Sequence, residues 1–157
     1  MAQAQGGFAD VLWDLHFQVK LGETNGRFLE GLRRGVLRGT KCGACGWVFV
    51  PAQSYCERCL APADEWRDLP STGAVQTFTV VHIAPGGGPK TPFVLGAIRI
   101  DGADGLLLHL IGDVAIADDG SAEALVAGDR VEAVWETERR GHIFDIRHFV
   151  PAGRQSV

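Results

Sequence analysis

Cys42-Gly43-Ala44-Cys45-Gly46-Trp47-Val48-Phe49-Val50-Pro51-Ala52-Gln53-Ser54-Tyr55-Cys56-Glu57-Arg58-Cys59 holds all four cysteines of the 157-residue chain. Each C-x-x-C turn aims two thiolates at one point, and residues 46–55 are long enough for a hairpin that brings the second pair over the first. Four thiolates close a tetrahedron around zinc and leave no position for water, so the site is expected to be structural. The first turn ends in Gly46, where a tight turn bares backbone N–H groups to sulfur, and the second carries Leu60 at the matching place. Rubredoxin-like iron is the other metal that this ligand set accepts. Disulfides fit less well, because residues 1–7 have neither the basic nor the apolar part of a secretory leader and point to a reducing, cytoplasmic compartment. A redox dithiol would open a helix inside a βαβ pattern, and neither pair does.

Outward from the cysteines, Trp47-Val48-Phe49-Val50-Pro51 reads as a hairpin strand ended by a breaker, and residues 60–70 read as an exit strand and linker. Upstream, Thr24 or Asn25 can cap a short helix, Phe28, Leu29 and Leu32 form its apolar stripe, and Gly35 can end it. Gly26 and Gly31 weaken that helix, so it is expected to depend on docking, against either the zinc ribbon or a partner chain. Residues 13–21 alternate with period two, Trp13, Leu15, Phe17, Val19 and Leu21 on one side, which predicts a strand. Phe8, Val11, Leu12 and Leu15 also satisfy helical spacing, so the arm could open with a helical turn.

Beyond Ser71 the chain changes to short β-type runs at 74–83, 93–100, 106–111, 130–136 and 143–150, separated by turn signals such as Asp101-Gly102-Ala103-Asp104-Gly105. Five strands with the longest connection after the third fit an OB-type Greek-key barrel, with a small sandwich as the alternative. The expected fold is therefore mainly β. Its expected parts are an arm at 1–23, a docking helix at 24–37, a zinc ribbon at 38–70, a barrel at 71–152 and a tail at 153–157.

The formal net charge is −4, yet residues 27–41 set Arg27, Arg33, Arg34, Arg38 and Lys41 against Glu30 alone. That asymmetry favours a local acidic or phosphate-bearing partner, against the plainer reading of a solvated helix face. No apolar run approaches the roughly 20 residues of a membrane span, and residues 106–111 are interrupted by His109. A nucleic-acid-binding module is the rival functional class, since ribbons and OB barrels both occur there. It needs a basic groove with exposed stacking aromatics, whereas residues 71–157 are net acidic and aromatic-poor, so neither nucleic acid nor membrane is expected as a partner.

The helix with Phe28, Leu29, Gly31 and Leu32, the cysteine pairs enclosing Trp47, Phe49 and Pro51, and the run Gly73-Ala74-Val75-Gln76-Thr77-Phe78-Thr79-Val80-Val81-His82 resemble the acyl-CoA-associated OB-fold family with an N-terminal rubredoxin-like zinc ribbon. Pro92-Phe93-Val94-Leu95, the turn at Asp101, residues 107–112 and Gly128-Asp129-Arg130-Val131 extend the likeness over about residues 24–152. The sequence departs from the family at Leu60, where members often carry Gly, and in its Gly-rich loop 84–91. The resemblance implies an accessory subunit of a thiolase-like protein: an acyltransferase, or a sterol-carrier-type thiolase acting as an aldolase in steroid and lipid degradation. It further implies that ribbon and helix contact that partner, which would put Phe28, Leu29, Leu32, Arg33 and Arg34 at the interface, while the barrel helps to hold or pass acyl-CoA.

A search for catalytic groups agrees with an accessory role. The cysteines are committed to metal, Ser54, Ser71, Ser121 and Ser156 lack a G-x-S-x-G setting, and no H-E-x-x-H occurs. Gly86-Gly87-Gly88-Pro89-Lys90-Thr91 looks like a phosphate loop but holds a proline and enters a strand. His82 ends the first barrel strand beside that loop, so His82, Gly86, Gly87, Gly88 and Lys90 are the candidates for lying near substrate or coenzyme A. For His82 and Lys90 the plain alternative is an exposed polar side chain. His109, alone in an apolar strand, reads as a satisfied core histidine. No catalytic residue is expected, and no activity of the chain alone.

Overall fold

The computed structural model describes residues 18–84 and 88–153. Residues 13–17 of the alternating arm lie outside them, and residues 18–21 run without regular structure into helix α1 (Gly22–Arg33). The helix begins earlier than its sequence suggests. Thr24 and Asn25 are inside it, Leu21 stands at the N-cap without a side-chain bond, and Thr24 Oγ1 instead shares a 2.7 Å hydrogen bond with Ser54 Oγ of the ribbon. A tertiary contact has taken the hydroxyl that would have capped. At the other end Gly35 has φ +73°, its N–H donates to Leu32 O at 2.9 Å, and Val36 N–H reaches back to Gly31 O at 2.9 Å. This is a Schellman stop, and it needs the left-handed residue that only glycine supplies cheaply.

Strands β1 (Leu37–Lys41), β2 (Val48–Phe49) and β3 (Glu65–Leu69) form an antiparallel sheet in the order β2-β1-β3, with Thr40 opposite both Phe49 and Trp66. The hairpin strand is shorter than the apolar run that encodes it. Gly39 lies where a Cβ would come within 2.5 Å of Phe49 O, so the close approach of β1 to β2 requires its bare backbone. Thr40, fully buried, both donates to Gln53 O at 2.8 Å and accepts from Gln53 N–H at 2.9 Å, which pins the loop ahead of the second cysteine pair.

The second sheet is a closed barrel of β4 (Thr72–Val81), β5 (Phe93–Ile100), β6 (Leu107–Ile111), β7 (Arg130–Trp135) and β8 (Ile146–Pro151) in the order β4-β5-β6-β8-β7. β7 closes it by pairing antiparallel with β4, and β6 meets β8 in parallel at Ile111 and Phe149. This is the OB-type arrangement that the strand spacing predicted. Residues 143–145, expected to open the last strand, form a 3-10 turn instead. Buried Asp145 causes this by accepting from the backbone N–H groups of Arg140, Gly141 and His142 at 2.9, 2.7 and 3.1 Å. Burial alone would raise its pKa, but these donors hold the carboxyl below its ordinary value.

Val75, Ile98, Ile100, Leu107, Val131, Ile146 and Phe149 fill the barrel, and Phe28 and Leu32 of α1, Leu37 of β1 and Val50 join the same core. Burial of Phe28 and Leu32 stabilises the docked helix by about 1.5–3 kcal/mol each. The ribbon is fastened to the barrel at the β5–β6 turn. Val48 N–H donates to Asp104 Oδ2 at 2.9 Å, while the N–H groups of Asp104 and Gly105 donate to Val48 O at 2.9 and 3.1 Å.

Candidate metal centre and neighbouring surfaces

Two turns of the same design carry the four sulfurs. In the first, Cys42 N–H donates to Trp47 O and Gly46 N–H to Cys42 O, each at 2.9 Å; in the second, Cys56 N–H donates to Ala61 O at 2.8 Å and Leu60 N–H to Cys56 O at 2.9 Å. Gly46 has φ +78° and Leu60 φ +60°, so the second turn adopts the glycine conformation without the glycine. A left-handed non-glycine residue costs about 1–2 kcal/mol, which Leu60 bears with its side chain in solvent.

The turns converge. Cys42 Sγ lies 3.5 Å from Cys59 Sγ, Cys45 Sγ lies 3.5 Å from Cys56 Sγ, and all four sulfurs fall within 4.8 Å of one another. A tetrahedron with metal–sulfur bonds of about 2.3 Å has edges of roughly 3.8 Å, so this donor set fits zinc. Cys42 and Cys56 are buried and Cys45 and Cys59 exposed, and Phe49, Ala63 and Trp47 pack around the inner pair. Backbone N–H groups of Cys45 and Ala44 bring the Cys42 thiol down to about 7, whereas Cys59, although Ala61 N–H favours its thiolate, is pushed up to about 12 by Cys42 and Cys56. Bound zinc offsets the mutual repulsion and fixes the two turns against each other. Arg58 stacks 4.3 Å over Trp47 beside the cluster. Trp66 packs on the main core, with Arg27 4.6 Å above it.

The other candidates do not gather into one site. Phe28 and Leu32 lie in the chain's own core and Leu29, half-buried, is packed against it, so the stripe docks α1 within the chain. Arg33 and Arg34 remain exposed, both bound to Glu30, with Arg33 Nε and Arg34 Nε at 2.8 Å from its oxygens. Arg38 pairs with Asp68 at 2.7 Å and Lys41 with Glu65 at 3.5 Å, so the basic run is largely neutralised within the chain. His82 is exposed just past β4, and its ring lies so near Gly120 that a Cβ there would come within 2.8 Å of it. Gly88 and Lys90 are exposed, whereas Gly86 and Gly87 lie outside the described residues.

Sequence reasoning missed an apolar cleft of about 300 Å³ between β5, β6 and the 3-10 turn, lined chiefly by Phe93, Leu95, Leu108, Leu110 and Phe144 with His109 in its wall. The signal was present in residues 106–108, Leu-Leu-Leu, where a barrel strand with a wetted outer face would alternate. His109 is buried, and desolvation lowers its pKa against the Ile143 carbonyl, so the imidazole is neutral.

Comparison with known proteins gives the same two parts. Residues 29–65 match the ChsH2 rubredoxin-like zinc ribbon domain and residues 66–136 the ChsH2 C-terminal OB-fold domain. A DUF35 domain-containing scaffold protein of Methanocaldococcus jannaschii is 32% identical over 105 residues, 65% of this chain and 69% of that protein. Among solved structures, the fold is similar to a chain of the Ltp2-ChsH2(DUF35) aldolase, with TM-score 0.57 and 22% identity over 82% of this chain and 94% of that one. It is also similar to a DUF35 protein of unknown function from Sulfolobus solfataricus, with TM-score 0.56 and 24% identity over 72% and 78% of the two chains.

Proposed function

Since the chain belongs to the DUF35 family of ChsH2-type zinc-ribbon and OB-fold proteins, we propose that it is a non-catalytic accessory subunit of a thiolase-like enzyme, an acyltransferase or an aldolase, that acts on an acyl-CoA. One observation carries this reading. All four cysteines converge on a single closed metal site, so the chain keeps no thiol nucleophile, and bound zinc would serve architecture. The printed names of two relatives support it: one is called a scaffold protein, and the other is a chain of an aldolase.

In this role the exposed guanidinium groups of Arg33 and Arg34 meet the partner, and the segment that carries His82, Gly86, Gly87, Gly88 and Lys90 contacts the acyl-CoA. Binding energy from the accessory chain orders the partner's substrate entrance. The test is cleavage of acetoacetyl-CoA in the presence of coenzyme A, read as loss of the 3-oxoacyl-CoA with formation of acetyl-CoA, and cleavage of a 3-hydroxyacyl-CoA, read as formation of a carbonyl compound and a shortened acyl-CoA, by this chain, by a thiolase-like protein offered as partner, and by the mixture. The expected result is no turnover by this chain and higher activity or thermal stability of the partner in the mixture. Turnover by this chain alone overturns the proposal, as does a partner that behaves identically with and without it.

A further inference from the structure

Each cysteine turn hides one sulfur and offers the other. Cys42 and Cys56, the first of each pair, are buried, whereas Cys45 and Cys59, the last of each pair, are exposed. The turns face each other so that every exposed sulfur has a buried one of the opposite turn beside it. Cys59 Sγ lies 3.5 Å from Cys42 Sγ, and Cys45 Sγ lies 3.5 Å from Cys56 Sγ. Residues 42 and 59 end the hairpin and residues 45 and 56 lie inside them, so both contacts run across it.

A thiol that ligates zinc is deprotonated outright, and a thiolate open to solvent is the form that attacks an oxidant. Cys45 and Cys59 meet that condition, and Cys42 and Cys56 do not. An accessible thiolate with a second sulfur in contact is also the arrangement of a redox-sensitive cysteine beside its resolving partner.

We propose that the four cysteines are a site of oxidative modification as well as a metal site: a peroxide converts the zinc-bound ribbon into a metal-free ribbon locked by two cross-turn disulfides, one between Cys42 and Cys59 and one between Cys45 and Cys56. In the first step the sulfur of Cys45 or Cys59 attacks a peroxide oxygen, the O–O bond breaks, the cysteine becomes a sulfenic acid and hydroxide leaves. In the second step the buried thiolate beside it attacks that sulfur, the S–S bond forms and a second hydroxide leaves. Two peroxides thus take two electrons from each sulfur pair, and with four protons the products are two disulfides and four waters. Disulfide sulfurs no longer serve as ligands, so zinc is set free.

The pairing decides what oxidation does to the fold. Bonds within the turns, Cys42 to Cys45 and Cys56 to Cys59, would let the two turns part, as they do when a chelator takes the metal. Bonds across them close the same hairpin that coordination closed, and the ribbon outlasts its metal. None of this depends on the accessory role.

The experiment treats the zinc-loaded full-length chain with hydrogen peroxide, quenches with catalase, and follows released zinc with a chromogenic chelator. Trypsin cuts after Lys41, Arg58 and Arg67, so residues 42–58 and 59–67 separate unless a disulfide joins them, and fragmentation shows which cysteine holds Cys59. The expected result is release of the zinc and a Cys59 peptide joined at Cys42. Amide exchange over residues 42–62 should be on the order of a hundredfold slower than in the chelated, reduced chain, as a staple closing a loop of this length allows. A dithiol reductant with added zinc should restore the starting state. Zinc that stays bound in millimolar peroxide overturns the proposal. So do disulfides within the turns, and so does an oxidised ribbon that exchanges as fast as the chelated one.

Discussion

The ribbon and the barrel solve the same problem of cohesion with opposite means. Among the described residues, only Cys42, Phe49, Cys56 and Ala63 are buried together around the sulfurs, with Trp47 and Ala61 at their edge. The barrel core instead runs from Val75 through Ile98, Leu107 and Ile146 to Phe149 and takes in the helix as well. A cluster as small as the first cannot offset the entropy of ordering its loops, so coordination must do so. The second needs no metal.

The sharpest way to break this contrast is to remove the metal. Chelation, or Cys42→Ser, should withdraw an apparent ~10–16 kcal/mol from the ribbon. Amide hydrogen exchange should then show residues 42–62 losing protection while β5 and β8 keep theirs. Simultaneous loss in both sheets would mean a single cooperative unit. Next in size, Phe149→Ala should cost the barrel about 3–5 kcal/mol in urea unfolding. Metal content of the folded fraction should stay at one ion per chain, and a loss of metal in step with stability would erase the distinction. Leu60→Gly tests the ribbon's residual strain. It should raise the melting temperature by an amount equivalent to about 1 kcal/mol at most, because relief of the left-handed penalty is opposed by the freedom of glycine in the unfolded chain.

The smallest effect is electrostatic and belongs to the barrel. Arg130 grips Asp101, with Nη1 2.8 Å from Oδ1, and Thr72 Oγ1 donates to Oδ2 at 2.6 Å. Arg130 first, and then Thr72, hold the Asp101 carboxyl down at about 2, against 3.8 ordinarily. A depressed folded-state pKa gives stability that is present above the ordinary value and lost as pH falls toward 2. The pair is partly exposed, so its contribution stays below about 1 kcal/mol. Arg130→Gln should therefore lower stability at pH 7 and have little effect near pH 2, as judged by urea midpoints. An equal loss at both pH values would show that Arg130 acts through packing.

What the sequence made legible follows the same division. Cysteine spacing determines a metal site because four thiolates at that separation have few other uses, and strand runs bounded by Gly and Asp turns gave the barrel to within a few residues. Less legible were features that depend on a distant partner. Thr24 looks like a cap until Ser54 is placed beside it, and Phe28 and Leu32 read as a docking stripe whose cover stays open until Leu37 and Val50 join them in one core. Residues 143–145 carry strand-like apolar character, and only the buried carboxylate of Asp145 turns them into a 3-10 turn. Local pattern states that a face is apolar, and the tertiary contact states what it faces.

The three hydrogen bonds between Val48 and the Asp104-Gly105 turn make the chain a fixed bracket. In the proposed accessory role, two surfaces on such a bracket would arrive at a partner already spaced and oriented. Once the metal-bearing end has landed, the barrel end samples a volume set by the bracket's stiffness, at an effective concentration that a flexible linker would dilute. Asp104→Gly would remove one of the three bonds and leave the two backbone bonds to Val48 O, so any loss in binding would measure what that one bond adds to the rigidity.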